Sequence, residues 1–394
     1  MIKKLLATIY LLIFLGFIAG ALGRFALFSD RVYVSLLDLG VSLLLIVWLI
    51  YIFFKKLPPL LPRLYYPIVF FVLALVFSYI INARSYSLIQ LGIGGAYLLR
   101  WLLYVLVYFI TIDFLNRRII QRQLVIWGLL ISGLSIAAVG IIQYIFFPSL
   151  KTWEEFGWDP HAYRLFSTLL DANFAGMVIV LTLILWVARL YKQKQRMTFF
   201  LICILCMVAL GLTFSRSSYL AFYLSLPLVL GKSHKRLLGF MLLFFTAFIV
   251  FWPRPATEGT NLRRTATVTS RINNMQEAVK IIMARPIFGA GYNMYEFVRP
   301  SAKLLGPEYF SPLHSRAGAD NSYLFVWATV GIIGLAIFLR LLVALFFSPS
   351  ADWVVKASIF SVAIHSFFVN SLFYPWVMVW MWLLVAAIEV RDYS

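Results

Sequence analysis

Three arginines and two candidate proton acceptors stand out in a chain where only 12% of residues carry charge. Arg84 sits in INARS, Arg164 precedes FSTLLDANFAGM, and Arg216 lies in TFSRSSYL. A guanidinium presents a planar fork of donors that grips the oxygens of a phosphate or pyrophosphate in pairs. Each arginine has a competing reading, in which it reaches toward lipid phosphates with its stem against apolar surface. Arg216 favours anion binding, because Ser215, Ser217 and Ser218 crowd it in a very tight connection. Asp320 and His314 can each take a proton from an attacking hydroxyl. Asp320, beside Asn321 at the head of an apolar run, also reads as a helix N-cap, and by spacing alone capping outweighs catalysis. His314, in PLHSR, also reads as a surface loop histidine. His365 lies inside an apolar run and either serves a site or bonds a neighbouring helix.

Other chemistries lack their residues. No Gly-x-x-x-x-Gly-Lys, His-Glu-x-x-His or Gly-x-Ser-x-Gly motif occurs, and no zinc-type spacing. Cys203 and Cys206 lie in CILC with no His or acid near, and read as packed or lipid-facing thiols. What remains is acid–base work with no metal and no bound cofactor.

The elements that must position these residues are membrane helices. The chain has 394 residues, 63% hydrophobic and 18% aromatic, with a mean hydropathy of +0.91. No water-soluble fold hides that much apolar surface, whereas a bilayer accepts it. Intervals near 5–22, 33–54, 65–81, 91–114, 124–147, 168–190, 197–214, 217–230, 237–252, 321–347, 353–371 and 373–390 are read as spans, against the roughly 17–25 apolar residues a span needs. The expected fold is all-α, a polytopic membrane protein with about twelve transmembrane helices. Residues 1–252 hold about nine spans, 253–320 form one long outer loop with an amphipathic helix, and 321–394 hold about three spans. The net charge of +19 is scattered over short loops, which fits cytoplasmic anchoring to anionic lipid and excludes a nucleic-acid face.

Lysine and arginine in alternate short loops set the orientation. Lys3, Lys4, Lys55, Lys56, Arg63, Arg117, Arg118, Arg122, Lys192, Lys194, Arg196, Lys232, Lys235 and Arg236 fall on one side. The positive-inside rule makes that side, and both termini, cytoplasmic. Residues 253–320 are then on the outer side, as is 148–167, where Trp153, Phe156, Trp158 and Tyr163 read as interfacial anchors. Within the long loop a Pro- and Thr-rich opening gives way to a helix. Ser270 is its expected N-cap, Ile272, Met275, Val279, Ile282 and Met283 recur at helical spacing, and Pro286 ends it. Arg271 and Arg285 fall on nearly the same face of that helix. PIFGAG then allows a tight turn with close backbone approach, and Gly331 and Gly334 of GIIG allow close helix packing.

Four segments in order resemble the O-antigen ligase family, which includes O-antigen polymerases sharing its C-terminal region. RLFSTLLDANFAGM (Arg164 to Met177) is similar to the family's Arg…Gly/Ser-Thr-Phe…Pro-Asn segment, and LTFSRSSYLAF (Leu212 to Phe222) to its Thr-x-Ser-Arg-x-x-hydrophobic segment. Arg271 with the helix and RPIFGAGYNMY resembles its Arg…Gly-x-Gly element. ADNSYLFVWATVGIIG resembles its His-Asn, nine residues, Gly-x-x-Gly signature, with Asn321, Gly331 and Gly334 in matching spacing and Asp320 in place of the His. Carried over by position, Asp320 takes the place of the base that activates the acceptor, and Arg216 and Arg271 that of the pair holding a lipid pyrophosphate. Aspartate is a weaker base than histidine unless desolvated, so His314 stays an alternative, and a polymerase or another outer-face glycan transferase of the family is favoured over transfer to a lipid core.

The resemblance implies inverting, metal-independent glycosyl transfer with no cofactor at the outer face of a bacterial inner membrane. The implied donor is a glycan on undecaprenyl pyrophosphate, and the acceptor is a sugar hydroxyl on a second glycan or a glycolipid such as lipopolysaccharide core. The rival reading is a multispanning transporter or flippase that uses Arg84, Arg100, Arg216 and His365 along a path through the bilayer.

Overall fold

Apolar runs in lipid must satisfy their own backbone hydrogen bonds, and helices do so within each segment. The computed structural model describes residues 2–27, 29–190, 196–231, 234–299 and 318–390. Its α-helices, in chain order, are α1 (Ile2–Ala19), α2 (Leu36–Lys55), α3 (Tyr65–Ile81), α4 (Leu88–Asn116), α5 (Arg122–Phe146), α6 (Ala172–Leu190) and α7 (Arg196–Leu212). They continue with α8 (Arg216–Leu230), α9 (Lys235–Phe251), α10 (Ala266–Ala284), α11 (Tyr295–Val298), α12 (Ser322–Phe346), α13 (Trp353–His365) and α14 (Pro375–Glu389). The protein is helical and membrane-spanning. Among the described residues, six helices, α1, α2, α4, α5, α6 and α12, are long and apolar enough to cross a bilayer, and four shorter apolar helices lie among the rest.

Local sequence sets several helix starts. Ser35 with Asp38 and Ser87 with Gln90 form capping boxes at α2 and α4, Asp352 caps α13, and Pro375 opens α14. The centre of the bundle is α6 and α14, whose residues are almost all buried. Around them α1 packs on α2 and α5, α13 on α8 and α6, α14 on α4, and α12 on α3 and α10. Cys203 and Cys206 are buried and unbonded, so these thiols are packed.

Three local expectations are corrected. An antiparallel hairpin, β1 (Arg24–Leu27) with β2 (Ser29–Ser35), joins α1 to α2 where only helix and loop were expected. The alternating RVYVS sequence suits a strand, and the hairpin carries Arg24 and Tyr33 to the mouth of the bundle. Helix α10 starts at Ala266, with no side-chain cap from Thr265, so Ser270 lies inside it and is not its cap. Arg285 follows the helix with φ −141° and donates to Asn82 Oδ1 at 3.0 Å, which separates it from Arg271.

The glycines lock the long loop onto α12. Gly331 has φ +79° and interrupts α12, rather than serving as a plain helix-packing position. The break frees the carbonyls of Ala328 and Thr329, which accept from the N–H groups of Ala290 and Gly291, each at 2.9 Å, while Ile332 N–H donates to Pro286 at 2.9 Å. The Ser78 hydroxyl lies within donating distance of both the Phe288 and Thr329 carbonyls and can serve either. A Cβ on Gly331 would collide with the Ile287 carbonyl, and one on Gly289 with Thr329. We expect Gly331→Ala to lower stability by about 2 kcal/mol or more, since it adds a clash to a positive-φ penalty. Thermal unfolding in detergent tests this, and an unchanged midpoint contradicts it.

Candidate functional site

A cavity of about 750 Å³ opens between the loop 148–171, helix α10, the residues ahead of α12 and the start of α14. Arg164, Arg264, Arg271, Asp171 and Asp320 all line it. Each is placed by a specific local device.

Arg164 is held by its backbone and by its guanidinium. Gln143, buried in α5, donates to the Arg164 carbonyl and accepts from the N–H groups of Phe166 and Ser167. Arg164 Nε donates to the Thr213 carbonyl at 2.9 Å, in the turn between α7 and α8. Burial, together with repulsion from Arg264 and Arg271, brings its pKa down to about 10. Arg264, which sequence reading passed over, is equally built in. It donates to the carbonyls of Gly259, Asn261 and Phe214. Burial first, then Arg216 and Arg271, depress it to about 10 as well.

Arg216, the first residue of α8, does not itself line the cavity. Its Nη1 donates to the carbonyls of Leu262 at 3.2 Å and Arg264 at 3.3 Å, so it ties the segment carrying Arg264 to the α7–α8 turn. Its charge still reaches both Arg264 and Arg271. Arg271 lies near the start of α10 and is lowered by burial, with Asp320 supporting its charge and Arg216 opposing it. Arg84 stands elsewhere: it is exposed on the 3-10 turn Ala83–Ser85 and is not among the residues lining this cavity.

Asn321, not Asp320, caps α12. The Asn321 side chain accepts from the N–H groups of Tyr323 and Leu324, which corrects the capping reading of Asp320. The Asp320 backbone is gripped from α10, where Asn274 Oδ1 accepts its N–H at 2.7 Å. Its carboxyl is left to the cavity, where burial pushes its pKa up to about 6 despite the attraction of Arg271. That value sits in the range of a histidine, so the position is equipped for base chemistry at neutral pH. His314 lies outside the described residues.

Asp171 is a second acid that the sequence reading did not single out. Its Oδ1 accepts from the N–H groups of Asn173 and Phe174 at the head of α6. Burial alone would raise it, but His161, the Phe174 N–H and Arg164 together bring it to about 2. Its second oxygen lies 3.9 Å from His161 Nε2, a buried nitrogen with no hydrogen-bond partner among the described residues. Among the described residues, Asp159, His161 and Asp171 bring ligand atoms within 4.8 Å of one another, the one group able to hold a metal ion. The context that sequence reading did not find for His161 is therefore spatial.

His365 is a buried hub. Its Nε2 meets Ser217 and Ser218 Oγ, both at 3.1 Å, and its Nδ1 meets Ser371 Oγ at 2.6 Å. It pins α13 to α8. Arg100 pairs with Asp38 at 3.0 Å, and that pair also lines the cavity. Arg100 and His365, two of the four groups a transport path would use, are thus held in hydrogen-bond networks, and Arg84 is exposed. Trp158, expected as an interfacial anchor, turns inward to line the cavity, whereas Trp153 and Phe156 remain exposed.

The arrangement concentrates guanidinium charge beside one poised carboxylate. Arg164, Arg264 and Arg271 gather positive charge in the cavity with Arg216 behind them, and fixed cations in a desolvated pocket stabilise negative charge without reorganising. In a search of curated proteins, none matches the chain. The family model described as O-Antigen ligase matches residues 201–339, which run from α7 to α12 and include three of the four likened segments; the Arg164 segment precedes the match. Residues 201–339 therefore belong to the O-antigen ligase family.

Proposed function

We propose that the protein is a membrane glycosyltransferase that joins a glycan carried on a lipid pyrophosphate to a sugar hydroxyl, at the outer face of a bacterial cytoplasmic membrane. The observation that carries this reading is the shared cavity of Asp320, Arg271, Arg264 and Arg164, in a chain whose residues 201–339 match the O-antigen ligase family. The acceptor oxygen attacks the anomeric carbon of the donor sugar as the bond from that carbon to the pyrophosphate breaks. The hydroxyl proton passes to Asp320, and the pyrophosphate leaves with the bonding electrons. Attack from the side opposite the leaving group inverts the anomeric centre.

Arg164, Arg264 and Arg271 hold the leaving pyrophosphate, and Arg216 supports them from behind. Undecaprenyl pyrophosphate is the donor lipid in this reading, with its tail among the apolar helices. About twelve crossings with both termini cytoplasmic complete it, with the interval 253–320 on the outer side. The test is transfer by purified protein from a lipid-linked donor, comparing the wild type with Arg271 and Asp320 variants.

The arginines supply the positive charge that a divalent cation supplies in other transferases, so the step is written without a metal. Transfer should therefore survive exhaustive chelation within about twofold, far less than the several kcal/mol a charge-stabilising metal contributes. A collapse restored by added magnesium or manganese would hand that role to Asp159, His161 and Asp171.

A further inference from the structure

The cavity has a second cationic end, built from residues outside the matched region 201–339. Arg24 begins the hairpin, paired in register with Ser35, and its side chain lines the cavity. Its guanidinium carbon stands 5.4 Å from the ring centre of Trp158 and 5.0 Å from that of Trp376. Ring faces hold a guanidinium by cation–π attraction but leave the N–H donors at its edge unused.

No acid neutralises this arginine among the described residues. Asp38, the carboxylate on the next helix, is already saturated. One of its oxygens accepts from Arg100 Nε at 3.0 Å and the Tyr104 hydroxyl at 2.7 Å; the other accepts from the Ser35 N–H at 2.8 Å and hydroxyl at 2.7 Å. Arg100 is thereby paired and also donates to the Tyr33 carbonyl. Among the described residues Arg24 is the cation left without a carboxylate, and a half-buried guanidinium so placed calls for an anion from a ligand.

The surroundings describe that ligand. Trp376 is fixed by a bond from its indole N–H to the Gly16 carbonyl at 3.1 Å. Tyr374 lies 5.1 Å from Trp376 and stacks on Phe174 at 3.6 Å with the rings 3° from parallel. These rings line the cavity together with the polar pair Asp38 and Arg100. Aromatic faces beside fixed polar groups suit a sugar ring, which offers apolar C–H surface on its faces and hydroxyls at its edge. Tyr374, Arg24 and Asp171 all line this one cavity, so this end is continuous with the pyrophosphate end.

We propose that Arg24, with Trp158 and Trp376, binds the carboxylate of an acidic sugar residue, a hexuronate, in the glycan being joined. The inference rests on the transferase reading above and adds to it a substrate class. The flat carboxylate meets the edge of the guanidinium, which the buried Trp376 backs, and the sugar ring lies against the half-buried Trp158.

Calorimetry on the full-length protein in detergent tests it with two probes. One is a tetrasaccharide of alternating glucuronate and N-acetylglucosamine; the other is the same molecule with its carboxyls reduced to alcohols. The acidic form should bind about tenfold or more tightly than the reduced form, as one charge-assisted hydrogen-bonded pair implies. Arg24→Gln should erase that preference and leave binding of the reduced form unchanged, and Arg24→Lys should restore part of it. Inorganic pyrophosphate should not displace the acidic probe. Equal binding of the two forms, no binding of the acidic form, a preference kept in Arg24→Gln, or displacement by pyrophosphate overturns the proposal.

Transfer assays with uronate on the donor alone or the acceptor alone show which partner Arg24 reads, and a glutamine variant that slows neither also overturns it. The transferase reading is scored separately through Asp320→Asn. Transfer lost in that variant, with no acid preference in calorimetry, sinks the subsite only. Transfer retained there, alongside a clear acid preference, sinks the transfer mechanism only.

Discussion

Asp320→Asn is expected to abolish glycan transfer, with a fall of about 10²- to 10⁴-fold, the usual contribution of a positioned base. The amide keeps the shape of the side chain, and the backbone anchor from Asp320 N–H to Asn274 is untouched. Asn321 still caps α12, so the helix start is preserved. The wild type should also carry a pH signature. Burial raises Asp320 to about 6, so the base form fills as pH rises through 6, and the rate should be flat above about pH 7. Below about pH 5 it should drop roughly tenfold per unit.

The stability effect has the opposite sign. A folded-state pKa above the unfolded value means that stability is full below the usual aspartate range and is lost as pH rises through about 6. Asp320→Asn removes that loss, so its melting temperature at pH 7.5 should equal or exceed the wild type. An inactive protein that melts no lower is the expected result; substantial transfer by the asparagine variant would move the base elsewhere, with His314 next to be tried.

Arg271→Ala should be nearly as damaging, costing about 10²- to 10³-fold in transfer, the scale of losing one group that stabilises developing charge. Arg271→Lys should recover little, because an ammonium cannot match the planar two-point grip on pyrophosphate oxygens. A second readout links the two residues. Arg271 lowers the Asp320 pKa, so the residual activity of Arg271→Ala should have its acid limb shifted to higher pH. The variant should fold, since burial and like-charged Arg216 disfavour the native guanidinium charge. Wild-type transfer with an unmoved acid limb would remove Arg271 from the site.

Some of this was legible in the chain. Apolar runs mark their own helices, because lipid leaves the backbone no other partner. The caps at Ser35 and Ser87 are local i to i+3 patterns and can be read directly. The motifs around Arg164, Arg216, Arg271 and Asp320 can be picked out for the same reason: each is a short run read without a fold. Arg84 shows the limit, since a cation at a helix end carries no sign of which surface it will face.

What the sequence by itself determined is therefore a helical membrane protein with guanidinium and acid chemistry gathered near the helix ends. Only the tertiary structure decided which of those groups meet. It set Arg264, hidden as one of two adjacent arginines, beside Arg164 and Arg271, and it drew Asp171 and His161 into the same cavity. It passed the cap of α12 to Asn321 and so released the Asp320 carboxyl. It also broke α12 at Gly331, where the carbonyls freed by one positive-φ residue hold the long loop in place. Helix formation depends on neighbours along the chain, whereas charge coupling and desolvation depend on neighbours in space. The pKa of Asp320, on which the proposed chemistry turns, is set by burial and by Arg271, forty-nine residues away in sequence.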